Sequence, residues 1–155
     1  MNGRATVHSM RNRLTATFAR ARNIEGDGEL LSDFARYLCV LVSGYLEQAV
    51  IELAMEHVRL HSNPSVQKYV EARLRSFTNA NSQRLLTLLG NFDADWRLDM
   101  EVYLVDELKD AVDSIVNLRN TIAHGRPSGV TIGRVTDYYR RVDRVVDHIA
   151  DLCVP

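Results

Sequence analysis

Cysteine, lysine, long apolar runs and glycine-rich loops are all scarce in this chain, and each scarcity excludes something. Only Cys39 and Cys153 occur in 155 residues, too few for a disulfide framework and too far apart for a Cys-x-x-Cys pair. Both are expected to be small buried apolar residues in a reducing compartment, which points to a cytoplasmic protein. No stretch approaches 18 consecutive apolar residues, so no membrane span or membrane partner is expected. Alternation with period two is nowhere sustained, which leaves no strand candidate. There is no Gly-rich nucleotide motif, no nucleophile elbow and no Walker-type sequence. His57 and His61 stand four apart, as metal ligands do, but Glu56 points elsewhere on the helix and no third ligand is placed near them. No metal and no cofactor are therefore expected.

What remains is ordinary globular composition, 46% apolar and 25% charged, at the length of one domain with a real core. We read residues 1–155 as that single domain. A net charge of −1 excludes a protein that is a polyanion binder as a whole. Its distribution is uneven. All but Lys68 and Lys109 of the 19 basic residues are arginine, the side chain suited to bidentate phosphate contact and to partly buried charge. A GC-rich genome gives the same bias. Residues 1–24 carry Arg4, Arg11, Arg13, Arg20 and Arg22 with no acid, whereas residues 93–113 carry eight acids against Arg97 and Lys109. The two segments suggest intramolecular or intersubunit complementarity, or an RNA-facing arm. The first is also Arg-rich and acid-poor, as a transit peptide is. It is expected to be the domain's basic first helix, over 4–24.

Glycine and proline divide the rest into helices. Val7, Met10, Leu14, Phe18 and Ala21 recur at spacings of three and four. From Leu30 to about His61 runs the longest helix, apolar nearly all round between Leu38 and Leu53, so it should be the enclosed centre of a bundle. Within it, Gly44 reads as a point of close helix approach. Further helices are expected from Ser65, from a Ser82 cap to Gly90, from Leu104 to Gly125, and from a Thr131 cap to Cys153. Around Ala94–Asp99 only a short turn is expected. The fold class is all-α, a bundle of five or six helices.

One helix breaks its own pattern. Projected at 100° per residue, Leu104, Leu108, Val112, Ile115 and Ile122 fall within about 80°, and Arg119 lies inside that stripe. An unpaired buried guanidinium costs several kcal/mol, so Arg119 must meet a carboxylate, line a wet cleft or lie between subunits. Asn120 and His124 follow, four apart on one face, with His124 just before the helix-ending Gly125. Arginine holds phosphate and histidine moves protons near neutrality. Together they are the smallest set for metal-free RNA cleavage, in which the ribose 2′-oxygen attacks phosphorus and a cation holds the developing charge. Arg141 and His148 form a second such pair, on the polar and apparently solvated face of the last helix beside Arg144. That pair has no asparagine after the arginine and no helix stop after the histidine. In Tyr138-Tyr139-Arg140-Arg141, Tyr139 projects into the core stripe and Arg140 remains a candidate phosphate contact.

The segment Arg119-Asn120-Thr121-Ile122-Ala123-His124-Gly125 resembles the signature of the HEPN superfamily: arginine, a polar residue, then histidine. An earlier enclosed helix with Tyr45-Leu46-Glu47-Gln48 and one helix after the motif also look like HEPN. The chain is most similar to the RiboL-PSP-HEPN branch, over residues 30–153. The resemblance implies a homodimeric helical bundle whose two Arg-x4-His motifs share a cleft, and a metal-independent endoribonuclease, often a toxin or defence effector held by a cognate antitoxin protein. Arg119 would then be the phosphate and transition-state cation, His124 the general acid and base, and Asn120 the orienting polar residue. Glu47 is the matching candidate for a supporting acid, with Arg119 its expected partner and Glu52 the runner-up, while an unrelated structural pair for this enclosed acid stays equally open. Where some ribonuclease members carry a tyrosine two residues after the histidine, this chain has Arg126, a second candidate phosphate contact. The alternative reading is a non-catalytic HEPN module that dimerises and binds nucleotide, RNA or a protein partner.

Overall fold

Six side chains sign the helix starts by accepting a backbone N–H that the first turn leaves unpaired. Asn2 accepts from Ala5, Asp27 from Leu30, Asn63 from Val66, Asn81 from Arg84, Asp93 from Asp95 and Trp96, and Thr131 from Arg134. The computed structural model describes residues 2–155 and contains seven helices: α1 (Gly3–Arg22), α2 (Gly28–His61), α3 (Pro64–Leu74), α4 (Ser82–Phe92), α5 (Ala94–Tyr103), α6 (Asp106–Ala123) and α7 (Ile132–Cys153). No strand occurs among the described residues.

The count exceeds the expected five or six because Asp93 serves twice. Its N–H closes the last turn of α4 on the Leu89 carbonyl while its carboxylate caps α5, so the expected turn at Ala94–Asp99 is a ten-residue helix. Leu104 then terminates α5 instead of opening the motif helix, which begins at Asp106. Asn81, not Ser82, caps α4. Ser82 is taken by α6, its N–H and hydroxyl donating to Asp113 at 2.8 and 2.9 Å.

α2 is the enclosed helix, packed against α7, α1, α6 and α3. By length and composition it is apolar enough to cross a membrane, but most of that stretch is buried among the other helices, as the central helix of a bundle must be. Leu38, Val42, Leu46, Val50 and Leu53 join Phe18, Leu85, Met100, Ile115, Val142 and Ile149 in one core drawn from six helices. A smaller apolar cluster joins Ala54, Met55 and Val58 to Leu74. Gly44 does not mark a close approach, since nothing lies within 4 Å of where its Cβ would stand. It borders an open groove of about 340 Å³ between α1 and α2, with Leu14, Tyr37 and Gln48.

The basic first helix spends part of its charge inside the molecule, though not on the acidic 93–113 segment. Arg11 bridges Asp143 and Asp147 of α7, and Arg4 meets Asp151. Asp143 also accepts the Tyr45 hydroxyl at 2.6 Å, so α1, α2 and α7 share one carboxylate. Burial, reinforced by Asp143, holds the Tyr45 hydroxyl protonated well above the usual tyrosine range. Cys39 and Cys153 are buried, and that burial pushes each thiol up to about 12.

Candidate active site

α6 has no side-chain cap at its start, where Val105 stands, although Asp106 and Glu107 complement the positive helix end. Its other end is fixed. Gly125 adopts φ +70°, its N–H bonding the Ile122 carbonyl at 3.0 Å, while the Arg126 N–H reaches back to the Thr121 carbonyl at 3.0 Å. This pair of bonds is the Schellman closure, which needs a residue at positive φ and so selects glycine. It leaves His124 as the last half-helical residue, its ring exposed to solvent.

Arg119 is half-buried one and a half turns earlier, beside the buried Ile115 and Val116. Its Nη1 donates to Asn120 Oδ1 at 3.3 Å, which engages the Asn120 oxygen. No carboxylate pairs with Arg119 among the described residues. The expected partner is engaged elsewhere: Glu47 Oε1 accepts the Asn79 N–H at 2.9 Å. That bond holds Asn79 at φ +53° in the turn before α4, and Asp113 grips the same turn at Ser82. Glu47 therefore ties α2, and Asp113 ties α6, to the start of α4. Glu47 was legible as an acid on an enclosed helix, whereas nothing distinguishes Asp113 from the other acids of 93–113. Glu52, the runner-up, forms no ion pair with Arg119 either.

Of the two candidate phosphate contacts, Arg126 is exposed immediately beyond His124, its backbone fixed by the closure. Arg140 is exposed on α7 and pairs with Asp137 at 3.4 Å, with no bond to the motif. Tyr139 is buried as expected, stacked on Phe18 at 4.8 Å, and Tyr138 is buried as well. His57 and His61 stack at 4.3 Å, and each ring presents Nδ1 to a backbone carbonyl, of Cys153 and His57 respectively.

The second arginine–histidine pair is not on a solvated face. His148 stacks on Tyr103 of α5 and shares a hydrogen bond with Asp99, while Glu107 lies 3.9 Å from both Arg141 and Arg144. Of the acids of 93–113, Asp99 and Glu107 thus complement α7, and none pairs with α1 among the described residues.

The described residues form an all-α bundle with a half-buried arginine and an exposed histidine at the closed end of one helix. The chain matches the model of the RiboL-PSP-HEPN family over residues 11–154, and it belongs to that family. The match begins inside α1, so residues 11–22 of the basic first helix lie in the family region, which is wider than the expected 30–153. No curated protein matches the chain significantly. No solved structure does either.

Proposed function

We propose that this protein is a metal-independent endoribonuclease, a toxin or defence effector that acts as a homodimer and is restrained by a cognate antitoxin protein. The observation that carries the reading is Arg119: a half-buried guanidinium without a carboxylate among the described residues, five residues before an exposed imidazole at a fixed helix end. An anion with bidentate oxygens meets the need that Arg119 leaves open, and a phosphodiester is such an anion. Asn120 holds the guanidinium fork in place for it. His124 takes the proton from the ribose 2′-hydroxyl as that oxygen attacks phosphorus, and Arg119 stabilises the charge on the equatorial oxygens. A second copy of the same corner across a two-fold axis supplies the histidine that protonates the leaving 5′-oxygen. Arg126 and Arg140 extend phosphate contact along the strand.

The test is fluorescent RNA incubated with purified protein, with and without EDTA. Cleavage should survive the chelator and leave a 2′,3′-cyclic phosphate and a 5′-hydroxyl, and 2′-O-methyl RNA should bind uncut. Cleavage that requires magnesium, or that proceeds on 2′-O-methyl RNA, would sink the mechanism. Binding without cleavage of any RNA favours the non-catalytic module.

A further inference from the structure

The surface of α3 and α4 carries charge that the proposed chemistry does not use. Residues 72–92 contain Arg73, Arg75 and Arg84 and no acid. None of these three arginines forms an ion pair among the described residues, and all three side chains are exposed. Arg73 and Arg84 flank two contiguous hollows of about 340 and 180 Å³, which share Phe77, Leu88 and Asn91 as walls. Ser76 adds a hydroxyl at one end. Next to this groove Tyr69 is 63% exposed, with the Arg73 guanidinium 5.7 Å from its ring centre.

Two exposed guanidinium groups facing one groove favour an occupant that brings anions. The exposed Tyr69 ring beside Arg73 and the half-buried Phe77 in the groove wall select among anionic polymers. An unpaired nucleotide offers a base to stack and a phosphate to bind at every step, which an acidic peptide offers only where an aromatic residue accompanies its carboxylates. Asn91 adds donor and acceptor groups for a base edge. Double-stranded nucleic acid is excluded by the same logic, because its bases are already stacked.

We propose that the α3–α4 groove is a binding site for single-stranded RNA, separate from Arg119 and His124, that captures the strand to be cut. This rests on the reading of the protein as an RNA-directed enzyme, but its test reads no cleavage. A fluorescent 12-nucleotide oligouridylate is titrated against the full-length His124→Ala protein, which keeps the probe whole, at several salt concentrations. Arg73→Glu with Arg84→Glu should weaken binding at least tenfold and flatten the log–log salt slope by about 1.4, the share of two lost phosphate contacts on a single strand. Tyr69→Ala, an exposed change with little consequence for folding, should weaken it about fivefold or more. A charge reversal of equal size on α1, Arg20→Glu with Arg22→Glu, should leave affinity within twofold. Equal losses from both double reversals would show diffuse attraction and overturn the site. So would displacement of the probe by polyglutamate with Tyr69→Ala silent, which would assign the groove to an acidic protein. Thermal melts of each variant separate lost binding from lost folding. Whether wild-type protein cuts RNA is decided independently.

Discussion

His148 lies flat on Tyr103, ring centres 3.7 Å apart, with its Nε2 on Asp99, and its neighbour Arg141 faces Glu107. His124 has neither a stacked ring nor a carboxylate among the described residues, and Arg119 has only the amide oxygen of Asn120. The same two functional groups, at nearly the same sequence spacing, are consumed by structure in one place and left available in the other. The difference lies in what surrounds them. α5 lies against the α7 pair and supplies a ring and one acid, Tyr103 and Asp99, and the first turn of α6 adds Glu107. Beyond His124 the chain turns sharply through Gly125 and brings nothing back.

Breaking this contrast gives the largest expected effect. His124→Ala should lower RNA cleavage by about 10²–10⁴-fold, the range for a lost general acid–base group, with an unchanged melting temperature. His148→Ala should do the reverse, leaving cleavage within twofold. A reversed outcome would mean that α7 carries the chemistry. Arg119→Lys should follow at about 10²–10³-fold, because an ammonium keeps the charge but loses the two-pronged grip on phosphate. Circular dichroism separates that loss from unfolding.

The remaining two predictions concern stability. Gly125→Ala meets no steric obstacle, since nothing lies within 4 Å of the added carbon, but it forces alanine to φ +70°. The cost should be about 1–2 kcal/mol in urea denaturation, with cleavage reduced because His124 is displaced. Tyr103→Ala should cost about 1 kcal/mol through the lost stack on His148, a melting shift of about 2–4 °C, with cleavage intact.

How much of this was legible follows the range of each interaction. The closed end of α6 could be read from His124-Gly125 because a Schellman turn is local and its glycine is obligatory. The Thr131 cap and the burial of Tyr139 were equally local, set by one hydroxyl or one helical period. α5 was missed although Trp96, Met100 and Tyr103 have helical spacing, because one aspartate both ends α4 and starts α5. The partner of Glu47 was misassigned for a different reason. Periodicity shows that an enclosed carboxylate needs a donor, but a backbone N–H held at positive φ thirty-two residues away leaves no trace in the pattern. The cover over His148 is likewise tertiary: polar residues on α7 look solvated until α5 is laid across them.

The two thiols have a practical consequence. Burial pushes both thiols up to about 12, so the reactive thiolate is scarce at neutral pH, and both sulfurs are also shielded from solvent. Cys39 sits in the middle of the central helix and Cys153 on the last turn of the final one. Alkylating reagents therefore meet them only when the bundle opens, Cys153 on fraying of the α7 terminus and Cys39 on global unfolding. The chain carries two chemical clocks, one at its edge and one at its heart.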